Sequence, residues 1–421
     1  MTIIRFGICL LIAFAVLAFG AVEPWSQTVL QIGAAILFAF WGFLFATGRA
    51  EEIRWAPVFW PLLGLELLAF LQFIIPLSVY PFLTKLELLR FSSYLILLFL
   101  LTQAFRTTRQ LRIFTWFLVL FGFAVALFGV LQDLTHNGKI YWVKELRYGG
   151  TAFGPYVNRN HFAGLMELLI PIGLAMLAVP GVRRQQMPLM ALLAAIPVGA
   201  ILMSGSRGGI VGFGCEVALL ILLLWIRGGQ RKQLVTFLAV LLLAGGLVAW
   251  LGMGDVIQRF SQVHNPEISE SGRVSMSRAA YHIFRDHPWT GIGAGAIASV
   301  YPAYETDYDA TIVDHVHNDH FELLAETGTV GAICWLTFIG VLIVYGLKNL
   351  WAQRDATVRA LQIGALVGCV GLLVHSFADF NLHIPANALL FYLLAGIASS
   401  RPISELVDEN MRRRRTVSED E

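Results

Sequence analysis

The chain has 421 residues, 57% of them hydrophobic and only 14% charged, with a formal net charge of +2 and a mean hydropathy of +0.69. So little charge on so apolar a chain excludes an ordinary soluble domain and points to an integral membrane protein. The small net charge, its basic part held mostly in short segments between apolar runs, gives no basis for nucleic-acid binding.

A helix needs about 20 mainly apolar residues to cross ~30 Å of hydrocarbon. Twelve such runs are predicted, near 4–21, 28–47, 56–75, 86–105, 112–132, 160–180, 187–203, 208–226, 234–253, 329–347, 360–378 and 386–400. The expected fold is an all-α polytopic membrane protein of about 12 transmembrane helices. Residues 1–253 hold the first nine, 254–328 form one large extracytoplasmic loop between helices 9 and 10, 329–400 hold the last three, and 401–421 form a basic cytoplasmic tail.

Lys and Arg favour cytoplasmic loops. With the N-terminus inside, the inner segments carry 19 basic residues in 68 positions and the outer segments 10 in 131, which puts both termini in the cytoplasm. The first run ends in 18-AFGA-21, a signal-peptide-like close, but the even helix count agrees with the charge bias and makes it a span. Cys9, Cys215, Cys334 and Cys369 all fall in predicted spans without metal or redox spacing, and read as packing residues.

Charges inside spans are costly. Glu87 and Arg90 can pair at i,i+3, while Glu66, Glu167 and Glu216 lie deeper, as structural partners or as functional groups. The outer segment 132–159 carries Lys139, Lys144, Arg147 and Arg159 and leads into 158-NRNHFAG-164 at a helix start. Farther on, 204-SGSRGG-209 exposes Arg207 in a tight turn.

A structureless loop as long as 254–328 is uncommon unless functional. Its segment 272–288 places Val274, Ala280, Ile283 and Phe284 near helical spacing, away from Arg273, Arg278 and Arg285, and predicts an amphipathic helix. The following 290-TGIGAGAIAS-299 contains G-x-G but follows no strand, so it reads as a loop or helix packed closely through small residues rather than a nucleotide site. Arg147, Arg159, Arg207, Arg273, Arg278 and Arg285 face outward against the usual bias. Together they point to an anion pocket, since the guanidinium fork binds phosphate oxygens bidentately and keeps its charge.

The stretch 317-HNDHFELLAETGTVGAICW-335 joins a polar cluster directly to an apolar span, placing His317 at the outer interface. Histidine is the side chain best suited to take a proton near neutral pH, so His317 is the expected general base, with Asp314, Asn318, His320 and Asp379 in support. Asp314, His315, His317, Asp319 and His320 also offer metal ligands, but without a spacing such as H-E-x-x-H, and no metal is assigned. The last outer turn, 375-HSFADFNLHIPAN-387, adds His375, Asp379, Asn381 and His383 to the same face.

His317-Asn318, nine residues, Gly328, two residues, Gly331 and then Trp335 resembles the H-[NSQ]-x9-G-x-x-G signature of the O-antigen ligase-like family. That family includes O-antigen ligases, O-antigen and exopolysaccharide polymerases and bacterial protein O-oligosaccharyltransferases. The resemblance extends to 158-NRNHFAG-164, 204-SGSRGG-209, the R-x-x-x-x-R-A helix with 287-HPWTGIG-293, and 379-DFNLHIPANALLF-391, covering roughly 150–395.

It implies an inner-membrane enzyme that moves a glycan from a polyprenyl diphosphate carrier to an acceptor hydroxyl on lipid A core, a growing glycan or a protein, without cofactor. The family's histidine maps to His317 and its outer-loop arginines to Arg207 and Arg273, with Arg285 next. Arg147 and Arg159 are added from charge placement alone. The rival expectation is a multi-span solute transporter or lipid-linked glycan flippase, against which stand the crowding of polar residues at the outer face and the lack of an internal repeat.

Overall fold

The computed structural model describes residues 1–50, 52–135, 137–145, 151–179, 185, 187–226, 238–239, 241–242, 245–246, 270–306 and 312–401. Within them the protein is a bundle of helices: α1 (Thr2–Leu17), α2 (Pro24–Ala46), α3 (Phe59–Ile74), α4 (Pro81–Ala104), α5 (Thr108–Leu134), α6 (Arg159–Ala178), α7 (Met187–Ser204), α8 (Arg207–Ile226), α9 (Glu270–Asp286), α10 (Asp319–Ala352), α11 (Ala356–His375) and α12 (Pro385–Ser399). The one sheet among the described residues is a two-stranded ribbon, Lys139–Ile140 against Lys144–Glu145.

Eight of these helices are long and apolar enough to span a bilayer. The apolar helices α1, α3 and α12 are shorter, at 16, 16 and 15 residues. The protein is a multi-pass membrane protein. The predicted ninth span, 234–253, and much of the loop after it fall largely outside the described residues, as do Arg147 and the basic run at 412–415.

Helix α6 is buried along its whole length from His161 to Ala178, and α12 from Pro385 to Ser399. Both pack with α11, which also runs against α8, so these form the centre of the bundle. Around them α2, α3, α8 and the apolar part of α10 present large exposed side chains such as Ile36, Trp60, Trp225 and Leu336, as lipid-facing helices must.

Helix α10 is two helices joined at Gly328, whose φ of 61° and ψ of −159° are non-helical. Asp319–Thr327 carries the polar cluster and the part after Gly328 is the apolar run. A Cβ on Gly328 would lie 2.5 Å from the Trp289 carbonyl carbon, and one on Gly291 (φ +68°) 2.3 Å from that of Glu326. The two backbones meet at these glycines, so the 290–299 segment is closely packed as its composition predicts, a loop as far as Ala296 and a short helix from Ile297. Its amides donate to the end of the polar helix, Ile292 N to Ala325 O at 3.1 Å and Gly293 N to Glu326 O at 3.0 Å.

Helix α9 is amphipathic as expected, but its buried face is Met276, Ala279, Ala280 and Ile283, with Val274 51% exposed. The expected face is thereby corrected by part of a turn. A small core of α9 with Ile292, Ile297, Tyr301 and Val316 fixes the loop on the bundle, and leaves Val274 outside.

Candidate functional site

The site gathers where the polar half of α10, the N-terminus of α6 and the turn between α11 and α12 meet. Asn318 caps α10: its side-chain oxygen accepts from the amides of His320 (3.2 Å) and Phe321 (3.1 Å), and its amide donates to Phe377 O at 3.0 Å. The residue before this cap, His317, has φ +50°, a left-handed conformation that costs a side-chain-bearing residue roughly 1–2 kcal/mol.

That conformation directs the His317 ring at Asp379. His317 Nδ1 lies 3.2 Å from Asp379 Oδ1, and the His317 side chain is 13% exposed against 1% for Asp379. Asp379 also accepts from Asn160 Nδ2 at 2.7 Å and from the Phe380 amide at 2.9 Å, with His161 Nε2 at 3.8 Å. Burial alone would raise the Asp379 carboxyl; the rings of His161 and His317 hold it well below its usual range, so it is a carboxylate. The Phe380 ring packs against His161, His315 and His317 together.

A second group adjoins it. His383 donates through Nδ1 to Asp319 at 2.8 Å and faces Glu322 through Nε2 at 3.3 Å, while His315 Nδ1 meets the same Glu322 oxygen at 2.6 Å. Burial would push His383 down, but the Glu322 charge and the Asp319 hydrogen bond hold it up, to about 9. Burial moves His315 the other way, below its ordinary value, against the pull of Glu322. His315, Glu322 and His383 are the described residues placed to hold a metal ion, their ligand atoms lying within 4.8 Å of one another. Those atoms are engaged with each other as hydrogen-bond partners.

Below, inside the bundle, His375 Nδ1 pairs with Glu167 at 2.7 Å, and both are fully buried. Glu216 is 2% exposed, packed so that its carboxylate fills the space at Gly371. Glu66 bonds to Ser92, and Glu87 pairs with Arg90 at i,i+3 as its spacing predicts.

Residues 190–336 match the family model described as O-antigen ligase. The matched segment belongs to the O-antigen ligase family. No curated protein matches the chain. The O-antigen ligase segment contains His317 with Arg207, Arg273 and Arg285, while Asp379, Asn160 and His161 come from outside it. The match, over about a third of the chain, supports a membrane protein of the glycan ligase and polymerase type.

Of the expected arginines, Arg273 lies on the inner side of α9, one turn from Met276. Its Nε is buried without a hydrogen-bond partner, and its charge reaches His375. Arg207 is exposed at the start of α8, next to Gly208, which packs against the His375 ring. Arg159 begins α6 beside Asn160 and is half-buried. Arg285 is exposed on the last turn of α9.

His320 bonds through Nε2 to Leu373 O at 2.9 Å and through Nδ1 to the Trp335 indole at 3.2 Å, a pairing that ties the helix ends together. Asp314 is exposed and joins neither group. Asn160, His161, Glu322 and Phe380 were not predicted as site residues. The quoted 158-NRNHFAG-164 held the signal for the first two, two polar side chains at a helix start on the outer face.

Proposed function

We propose that the protein transfers a glycan from a polyprenyl diphosphate carrier to an acceptor hydroxyl at the outer face of a bacterial inner membrane, both termini being cytoplasmic. The observation that carries this reading is the His317–Asp379 contact. With Nδ1–H directed at a buried carboxylate, Nε2 carries the lone pair and is the basic nitrogen.

The acceptor O–H gives its proton to His317 Nε2 while its oxygen bonds to the anomeric carbon from the face opposite the carrier. The anomeric C–O bond breaks and its electron pair goes to the diphosphate. Inversion follows from that in-line geometry. Asp379 stabilises the imidazolium, and Arg207 and Arg273, assisted by Arg285 or Arg159, stabilise the leaving diphosphate. Arg147 joins this set from its position in the sequence alone. Asn318 and His320 hold His317 in place through the helix cap, and the step as written uses no metal or nucleotide cofactor.

The test is transfer by purified protein in lipid nanodiscs, supplied with a polyprenyl diphosphate-linked oligosaccharide and a hydroxyl acceptor. His317→Ala is expected to lower the rate by roughly 10²–10⁴ at equal protein recovery. Near wild-type turnover by that variant contradicts the assignment. The acceptor that supports turnover separates a ligase, a polymerase and a protein glycosyltransferase.

A further inference from the structure

Two carboxyl groups that the transfer step does not use are buried among the central helices, Glu167 on α6 and Glu216 on α8. Glycines make the room for both. A Cβ on Gly212, one turn before Glu216 in α8, would strike Glu167 Oε1, and a Cβ on Gly371, one turn before His375 in α11, would strike Glu216 Oε1. The Gly371 carbonyl oxygen lies 3.1 Å from the same Gly212 position. Both carboxyl groups therefore sit where α8 meets α11, with α6 beside them.

Their partners differ. His375 Nδ1 lies 2.7 Å from Glu167 Oε2, while Glu167 Oε1 and both oxygens of Glu216 are buried without a hydrogen-bond partner among the described residues. One imidazolium balances one of the two carboxylates at most. The other titratable groups near the cluster are Cys215 on α8, Cys369 on α11, Asp379 beyond His375, and Arg273 on α9, whose charge acts at His375. The two thiols and the third carboxyl bring Glu216 no positive charge. A bare carboxylate inside a helix bundle in hydrocarbon is costly, and a like charge beside it adds to the cost. A single proton on Glu216 removes both penalties.

We propose that Glu216 binds an exchangeable proton inside the membrane, supplied through His375 from the end of the bundle that holds His317. The His375 ring spans that route: Nδ1 faces Glu167, and Nε2 lies 2.6 Å from where a Cβ on Gly208 would stand, at the start of α8. A proton arriving at Nε2 releases the one on Nδ1 to Glu167, and Glu167 gives a proton to Glu216, which ends neutral while His375 keeps the new proton on Nε2. Chains of Glu and His inside membranes carry protons in this way. The carboxyl oxygens themselves fill the room at Gly212 and Gly371, which favours a proton over a metal cation that needs a shell of oxygen ligands. The proposal is independent of the glycan-transfer reading.

The test is infrared spectroscopy of the full-length protein in lipid nanodiscs at neutral pH. The expected result is a carboxylic-acid C=O band with a component that is lost in Glu216→Gln and that shifts on transfer to D2O, the shift developing about tenfold or more slowly in His375→Gln. Dicyclohexylcarbodiimide, an apolar reagent for protonated carboxyl groups, is expected to label Glu216 of the wild-type protein, which assigns the proton without any variant. Unchanged melting temperatures show that the variants fold. An acid band undiminished in folded Glu216→Gln, a band that does not shift in D2O, an unchanged exchange rate in folded His375→Gln, or labelling of Glu216 that sodium ions block at constant pH overturns the proposal.

Discussion

A histidine with one ring nitrogen held by a buried carboxylate has the other to offer, and at His317 the holding group is Asp379. Asp379→Asn keeps the shape but removes the charge that selects the tautomer and stabilises the imidazolium. Loss of transfer by a factor on the order of 10²–10⁴ is expected, with KM for the donor little changed. A change confined to KM contradicts the role. Arg273→Lys keeps the charge and loses the fork, so transfer is expected to recover only partly relative to Arg273→Ala, read as initial rates in the same nanodiscs.

His383 gives a pH signature. Its pKa rises from 6.5 to about 9 on folding. The stability it contributes is therefore fully present below about 6.5 and is lost as pH rises through about 9. Melting temperatures in detergent are expected to fall across that window in the wild type, with a smaller fall in His383→Gln; equal falls contradict the Asp319–His383–Glu322 arrangement. His317 stood out in the sequence as a candidate because its signature is contiguous. The contacts of Asp379 with Asn160 and His161 were not legible, because they join residues over 200 positions apart through the packing of α6 against α11.

At the scale of the element, Gly328 separates a polar helix that carries the site from an apolar helix that crosses the membrane. Its backbone angles are nearly exclusive to glycine, and a Cβ would strike Trp289. Gly328→Ala is expected to cost roughly 3 kcal/mol and lower the melting temperature. Gly340→Ala, in the same helix with nothing within 4 Å of an added Cβ, is expected to be neutral or slightly stabilising. Equal melting temperatures for the two variants contradict the break. The sequence pattern placed the start of the apolar run at Thr329 correctly. It also put His317 at the entry to that helix, and Asn318 caps it, but it did not reveal the break at Gly328, which depends on the Trp289 backbone packed against it. The buried face of α9 escaped for a related reason: Ala279 and Met276 pack inward while Val274 does not, and hydrophobicity alone does not rank them.

Across the whole molecule, hydrophobic runs located eleven of the helices, since crossing a bilayer dictates both length and composition. How they pack was not legible: that α6 and α12 are wholly buried and α2 and α8 face lipid depends on which helices are neighbours. The same packing puts the histidine cluster at one end of the bundle. It also buries the Glu167–His375 pair and Glu216 among the central helices, the feature that most resembles a transporter's interior. The measurement that separates the readings most directly is the size profile of lipid-linked and surface glycans in a deletion strain complemented with wild-type protein or with His317→Ala. Glycan transfer predicts that polymer or ligated product returns only with wild type, while His317→Ala accumulates full-length carrier-bound chains if the protein is a ligase and single repeats if it is a polymerase. Restoration of the profile by both proteins would contradict catalysis at His317 and leave transport as the activity.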